Sequence, residues 1–396
     1  MARPLPSGPL APLRRLALAL ALLTGALALP APAGATTTAW ADVPHGYWAK
    51  PAIDFVAHTH SWMEDYGATQ FKPDVHETRK YLARAMFRTF APGATVDPSI
   101  HFDDMSSTDP FYRYANVAVH RHWIPQAGSS FLPNQRVTMI DVHRALVRAL
   151  GLWDVAQGMN RFHTTDGYTF HHPAALGVIE VGMLLGLRTQ HADPSLDVHP
   201  TSQLRRSEVA WSLYRAYVVK TQDTWEISSL EADGFENIHV GAISPAMRKV
   251  VELGLKYVGY PYIYAAEWGS ATPAGYCCGA QVTGGFDCSG LTWWLMKAPA
   301  GGYDNTKVRR YQGWPLLQRS SMDMATVGKK LTYREARSGD LMLYSSDGTT
   351  IDHVDLYLGY GWALDSSSGL GGVVVLRVAD GWYRQHFVHA RRIVTS

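Results

Sequence analysis

Cysteine is scarce in this 396-residue chain: there are three, at positions 277, 278 and 288. So tight a cluster, with none elsewhere, excludes a disulfide framework spread through the fold, and stability has to come from packing. Net positive charge is missing too. Residues 1–35 carry Arg3, Arg14 and Arg15 and no acid, and without them 33 basic residues face 34 acidic ones. That balance gives no electrostatic basis for nucleic-acid binding, which needs clustered cations. Charged residues are only 18% against 46% hydrophobic, which excludes a disordered chain or a coiled coil. Long apolar runs are absent as well. Leu16–Leu29 has fourteen residues where a bilayer span takes roughly 20, and no second segment is apolar enough to hold the mature chain in a membrane. The run follows Arg14-Arg15 and ends at Pro30 and Ala33-Gly34-Ala35. That is the pattern of an export signal cut after Ala35, so residues 1–35 are read as a signal peptide of a secreted protein. Phosphate-binding glycine loops, zinc-protease helices and calcium loops are missing. The histidine pairs His58/His60, His120/His122 and His171/His172 have no acid or cysteine at ligand spacing. No metal and no cofactor is expected.

What is present falls into two halves. An aromatic or apolar residue, any residue, then proline recurs at Phe71-Lys72-Pro73, Phe131-Leu132-Pro133 and Val198-His199-Pro200. Seven residues after each first position a polar helix start follows: Thr78-Arg79, Thr138-Met139 and Arg205-Arg206. Apolar stripes at helical spacing come next, with Leu82, Ala85 and Met86, then Val142, Ala145 and Leu146, then Val209, Leu213 and Ala216. A further helical stretch precedes each proline, around 48–58, 112–121 and 173–186. The unit reads helix, proline loop, helix, with a period of 60 to 67 residues.

These segments resemble S-layer homology repeats. Thr78-Arg79-Lys80-Tyr81, Thr138-Met139-Ile140-Asp141 and Arg205-Arg206-Ser207-Glu208 stand where that family starts a helix with Thr-Arg-Ala-Glu. Asp42-Val43 with Trp48-Ala49, and Phe102-Asp103, resemble the family's opening. The resemblance implies an all-α region of three repeats (36–95, 96–155 and 156–220) anchored to a cell-wall polymer. Arg79, Arg206 and Trp48 are then the polymer-binding candidates, and Met139 departs from the pattern. Packing modules without a ligand are the alternative, since a fold does not carry its function. Residues 221–243, with Asp223, Glu226, Glu231, Asp233 and Glu236, read as a linker.

From Ser244-Pro245, an N-cap followed by proline, a helix is expected to about Tyr257, packing Met247, Val250, Val251, Gly254 and Leu255. Phe286-Asp287-Cys288-Ser289-Gly290 leads into the apolar Leu291–Met296. A cysteine in the first turn of a helix faces unpaired N–H groups and the positive dipole end, which favour thiolate. Downstream, residues 353–365 alternate and turn at a glycine-bearing loop, the pattern of a hairpin. A turn centred on Gly359 puts His353 directly opposite Asp365, whose carboxylate then holds one imidazole nitrogen while the other faces Cys288.

Residues 246–396 resemble the NlpC family of papain-like cell-wall cysteine peptidases. The matching pieces are Gly259-Tyr260-Pro261-Tyr262, Phe286 to Leu291, Gly339-Asp340-Leu341, and His353-Val354 with a polar residue twelve positions later. The resemblance implies an α+β papain-like domain with an antiparallel sheet over 244–396. It also implies cleavage of peptidoglycan stem peptides between D-glutamate and the diamino acid. By position, Cys288 is the nucleophile, His353 the general base and acid, and Asp365 the orienting residue. The Cys288 N–H and the Tyr262 hydroxyl hold the oxyanion, and Asp287 and Ser289 lie on the substrate side. Three residues depart from the family. Asp365 replaces a histidine and should raise the His353 pKa. Asp355 replaces a glycine on the same strand face. Ala265-Ala266 replaces a glycine pair and is followed by an insertion through Gly285, which holds Trp268, Tyr276, Cys277 and Cys278 and borders the cleft. Cys277 and Cys278 are packed as thiols or paired to each other. A non-catalytic wall-binding scaffold and an amidase or transpeptidase would use the same residues.

Overall fold

The computed structural model describes residues 40–67, 69–221, 230, 234–235, 238–296 and 316–394. The expected export signal lies outside them. In the N-terminal part the helices are α1 (Lys50–Ile53), α2 (Arg79–Phe90), α3 (Tyr112–His120), α4 (Met139–Ala149), α5 (Trp153–Met159), α6 (Leu176–Leu184) and α7 (Arg206–Thr221). All three apolar stripes of α2, α4 and α7 are buried.

Three loops bind these helices into a ring. Glu77 N–H donates to Leu204 O (2.9 Å), Leu204 N–H to Val137 O (2.9 Å), and Val137 N–H to Glu77 O (3.0 Å), which closes the cycle. The first N–H groups of each following helix, which no helix can satisfy internally, go to the next loop. Arg79 and Lys80 donate to Gln135 and Pro133, Met139 and Ile140 to Ser202 and Pro200, and Arg206 and Ser207 to Val75 and Pro73.

Arginines tighten two of the three junctions. Arg206, fully buried, donates to Phe71 O (2.9 Å), Met63 O (3.0 Å), Asp65 (2.7 Å) and Glu77 (2.9 Å). Arg79 donates to Phe131 O (2.6 Å) and Pro125 O (2.5 Å). At the third junction Met139 stands in that place, and the matching carbonyl, Val198 O, accepts instead from Arg188 (3.1 Å).

The 221–243 stretch, where it is described, is packed. Leu230, Phe235, Ile238 and Val240 are buried, and β2 (His239–Val240) pairs in parallel with β1 (His163–Thr164). Backbone pairing to the helical region, together with its apolar residues, removes this end from the role of a solvated linker.

The C-terminal part opens with α8 (Pro245–Leu255), whose first turn is capped by Ser244 Oγ accepting from Met247 N–H (3.3 Å). Its five expected apolar positions are all buried. A short antiparallel pair follows, β3 (Glu267–Trp268) with β4 (Gly285–Phe286), and then α9 (Cys288–Leu295) and α10 (Ser321–Met324). Among the described residues, β5 (Lys329–Leu331), β6 (Leu341–Tyr344), β7 (His353–Gly359), β8 (Trp362–Ser367), β9 (Gly372–Arg377) and β10 (Phe387–Arg392) form one sheet, with α11 (Gly381–His386) before β10. The strand order is β5-β10-β6-β7-β8-β9, antiparallel throughout. Helix α9 packs against β7 and β8, which sets the cysteine beside the histidine strand. The free edge, β9, is covered by α6 of the helical region, where buried Glu180 accepts from Val375 N–H (2.9 Å). Covering an edge this way blocks further strand pairing.

Two expectations follow. Arg206→Ala leaves Glu77 buried without its cation, while Asp65 keeps its ion pair with Arg84, so denaturant unfolding should show a loss of about 3–5 kcal/mol. Glu180 is held neutral: burial raises its pKa well above 4.5, and the Val375 N–H offsets this only in part. An acid that is neutral when folded and free to ionise when unfolded loses stability as pH rises above its unfolded value. Thermal unfolding of Glu180→Gln should therefore match wild type at about pH 4 and exceed it increasingly toward about pH 8; parallel pH profiles would refute a neutral Glu180.

Candidate active site

Cys288 is the first residue of α9, and the chain there is set by Asp287. The Asp287 carboxylate caps the helix, accepting from Gly290 N–H (2.6 Å) and from Ser289 Oγ (3.1 Å). A Cβ on Gly290 would collide with the Ala266 carbonyl, so glycine lets the helix start close against the 263–267 segment. The thiol lies buried at the positive end of the helix.

The hairpin turns one residue later than its glycine spacing suggests. Leu356 pairs with Leu364 and Tyr357 with Ala363, around a turn at Tyr360 and Gly361, both with positive φ (53° and 83°). Two consecutive left-handed residues make the tight turn whose twist suits a hairpin. Continuing that register puts Asp355, not His353, opposite Asp365. His353 is the diagonal neighbour on the same face, still within reach. Its Nε2 lies 3.1 Å from Asp365 Oδ2, and Cys288 is near enough to act on the ring electrostatically. Burial pushes the imidazole pKa down, but the Asp365 and Cys288 charges and the hydrogen bond to Asp365 outweigh it and hold the pKa well above 6.5.

Tyr383, on α11, donates its hydroxyl to the same Asp365 oxygen (2.9 Å). Asp355 is fully buried and accepts from the Tyr344 hydroxyl (2.7 Å). Burial and then the Asp365 charge raise its pKa well above 3.8, since two facing carboxylates do not both ionise. Tyr262 sits beside the cysteine. Burial, followed by the Cys288, Asp287 and Asp365 charges, raises its phenol pKa, so it stays a neutral donor, the state an oxyanion requires.

Beneath Asp287 lies a buried ion pair that no sequence spacing marks. Arg319 donates to both Asp287 oxygens (3.0 Å each), to Ser289 Oγ (2.7 Å) and to Glu267 (2.5 Å). Glu267 in turn accepts the N–H groups of Tyr276 and Cys277. Cys277 and Cys278 are disulfide-bonded to each other, leaving Cys288 as the free thiol. A groove of about 160 Å³ runs between residues 263–268 and Cys278–Val282, with Pro194 on its rim. A larger cavity, about 470 Å³, lies among His163, His239, Tyr360 and Trp362 at the turn end of the hairpin, away from the cysteine.

Cys288, His353, Asp365, Tyr262, Asp287 and Ser289 thus meet at one place. Arg79, Arg206 and Trp48 do not. Both guanidinium groups are enclosed among loop carbonyls and acids, and Trp48 packs edge-on against His191 (4.4 Å) and near Trp211 (6.5 Å). Tyr344, Tyr383, Glu267 and Arg319 went unmarked in the sequence. Only Tyr344 leaves a trace there, as a residue that strand pairing sets opposite His353.

Residues 261–392 match the sequence profile of the NlpC/P60 family, and this C-terminal segment is an NlpC/P60 domain. The chain is 31% identical over 146 residues to the bifunctional muramidase/DL-endopeptidase CwlT of Bacillus subtilis, covering 36% of each. It is 25% identical over 185 residues to the murein DD-endopeptidase MepH of Escherichia coli, covering 46% of this chain and 56% of MepH. With the peptidoglycan endopeptidase RipB of Mycobacterium tuberculosis it shares 32% over 133 residues, 33% of this chain and 47% of RipB. The chain thus spans between about a third and just over half of the length of these relatives. Among the described residues no helix is long and apolar enough to cross a membrane.

Removing the Asp365 charge takes away the largest influence holding the His353 proton. In Asp365→Asn the imidazole C–H resonances should titrate at lower pH than in wild type, measured by NMR. The sign for stability follows. A histidine with a raised folded pKa contributes fully below 6.5, and that contribution is lost as pH rises through the folded value. The variant should therefore lose stability mainly on the acid side.

Proposed function

We propose that the protein is an exported, wall-associated cysteine peptidase that cleaves peptidoglycan stem peptides. The observation that carries this reading is the line from Cys288 at a helix start through His353 to buried Asp365, inside the segment that matches the NlpC/P60 family. In this reading the Cys288 thiolate attacks the scissile carbonyl while protonated His353 stands beside it. The Tyr262 hydroxyl and the Cys288 N–H stabilise the tetrahedral oxyanion. His353 then gives its proton to the leaving amine, and an acyl-enzyme remains. Water, deprotonated by His353, hydrolyses that thioester and restores the thiolate. Asp365 fixes the imidazole in orientation and charge, and Tyr383 fixes Asp365.

The bond between D-glutamate and the diamino acid is the preferred target, in keeping with the DL-endopeptidase activity in the name of CwlT. Three divergent S-layer homology repeats are the reading for the helical region, supported by its three equivalent loop junctions. Because Arg79 and Arg206 are occupied internally, attachment to a wall polymer would fall to surfaces such as the one around Trp48. Holding the peptidase at the wall raises its effective concentration there without any new contact at the site.

Mature protein and Cys288→Ala are incubated with purified peptidoglycan, and soluble products are identified by mass spectrometry. Wild type should release cut stem peptides whose masses name the bond, and Cys288→Ala should be slower by at least about four orders of magnitude. No release by wild type from several wall types, with both proteins pelleting alongside the wall, would overturn the peptidase reading in favour of a binding scaffold.

A further inference from the structure

The helical region does more than cover the sheet edge. Its segment 188–199 runs along the loops that carry Tyr262, and it touches them through polar atoms. We propose that Arg188 and Gln190 are positioning residues for Tyr262. This rests on the peptidase reading above, in which Tyr262 is an oxyanion donor.

Both backbone polar groups of Tyr262 are tied to this segment. The Tyr262 carbonyl accepts from Gln190 Nε2 (3.2 Å). The Tyr262 N–H donates to Gly371 O (2.9 Å), and the same Gly371 carbonyl accepts from Arg188 Nη2. Arg188 is anchored at its other end by Val198 O (3.1 Å). Two glycines lie on the other side of this approach. Gly371 has φ +74°, and a Cβ there would stand 3.3 Å from Arg188 Nη2 and 3.4 Å from Gln190 Cβ. A Cβ on Gly372 would collide with the Tyr260 carbonyl and lie 3.0 Å from Arg188 Nη2.

Arg188 is buried, and burial lowers its pKa to about 10 against the pull of Asp197 and Glu208. It remains a cation at neutral pH. A buried cation is costly unless hydrogen bonds compensate it, and Arg188 directs Nη1 to Val198 O and Nη2 to Gly371 O, the carbonyl that also holds Tyr262 N–H. The remainder of the segment is braced in the same way. Asp193 accepts from Ser195 N–H (2.9 Å), Asp197 accepts from His191 N–H (2.9 Å), and the His199 ring meets Thr283 Oγ1 (3.0 Å) across the junction. Pro194 is thereby presented rigidly to the groove it shares with residues 263–268 and Cys278–Val282.

The consequence is kinetic. An oxyanion donor works only when pre-set at the right place, and a displacement of about 1 Å costs roughly a hundredfold in rate. Cutting either tether lets the Tyr262 backbone relax and moves its hydroxyl relative to the Cys288 sulfur.

The test uses the full mature chain and a synthetic stem tripeptide of L-alanine, γ-D-glutamate and diaminopimelate. Gln190→Ala and Arg188→Met should each lower kcat by about 10- to 100-fold with little change in KM, and Arg188→Lys, which keeps a donor, should recover part of it. The decisive readout is a double-mutant cycle: in a Tyr262→Phe background, Gln190→Ala should cost little further. Wild-type kcat in the single variants, or full additivity with Tyr262→Phe, would overturn the assignment. Hydrogen exchange of peptides covering 259–263 reads the tethers without substrate. Exchange there should quicken in Gln190→Ala and Arg188→Met while the sheet core stays protected, and unchanged exchange would refute the tethers. Should wild type cleave no stem peptide, the peptidase reading fails by itself, and the exchange result still decides whether the helical region holds Tyr262.

Discussion

One negative charge organises the C-terminal half. Asp365 is fully buried, where a carboxylate needs hydrogen-bond partners. His353 and Tyr383 both meet its Oδ2, at 3.1 and 2.9 Å. Its influence then spreads along the sheet. It keeps a proton on His353, which places a cation next to the Cys288 sulfur. Burial and, after it, the Asp365 charge push Asp355, its cross-strand partner, toward the neutral form, while the Tyr344 hydroxyl, donating to its Oδ2, pulls the other way.

The other shared constraint is the helix start, where N–H groups need partners. At Cys288 the partner is the Asp287 carboxylate, backed by Arg319 and through it by Glu267 and the disulfide turn. In the helical region the partners are carbonyls of the next loop, repeated until the ring closes. One physical demand thus produces a site in one half and an assembly rule in the other.

This explains which features were legible in the sequence. Capping residues and apolar stripes are local, so the helix from Pro245, the helix at Cys288 and the stripes of α2, α4 and α7 could be read directly. The grouping of Cys288, His353 and Asp365 was legible because a hairpin keeps side-chain parity. Its exact pairing was not, because the register shifts between Tyr357 and Gly359 and the turn itself falls at Tyr360-Gly361. Burial is not local either. The spacing of Arg79 and Arg206 suits a surface ligand or an internal brace equally, and only packing shows them consumed by carbonyls and acids. Arg319 stands alone in a polar stretch, and the Ile238–Val240 strand is hidden behind acidic neighbours.

Met139 shows how a departure from pattern acquires a reason. With an arginine there, the third junction would carry the same brace as the other two, aimed at the Val198 carbonyl. Arg188 occupies that carbonyl instead and extends its second donor to Gly371 of the C-terminal half. The smaller, uncharged Met139 leaves room for the approach of Gly259, where an added Cβ would collide with Ile179, fall 2.9 Å from Pro200 and lie 3.7 Å from the Met139 methyl. An arginine at 139 would compete for the same acceptor and bring a second buried cation to the seam. The absence of an arginine at 139 and the docking of the C-terminal half are therefore two sides of one packing arrangement. The third face of the ring is the one that could be spared for the C-terminal half, because its brace is supplied from elsewhere.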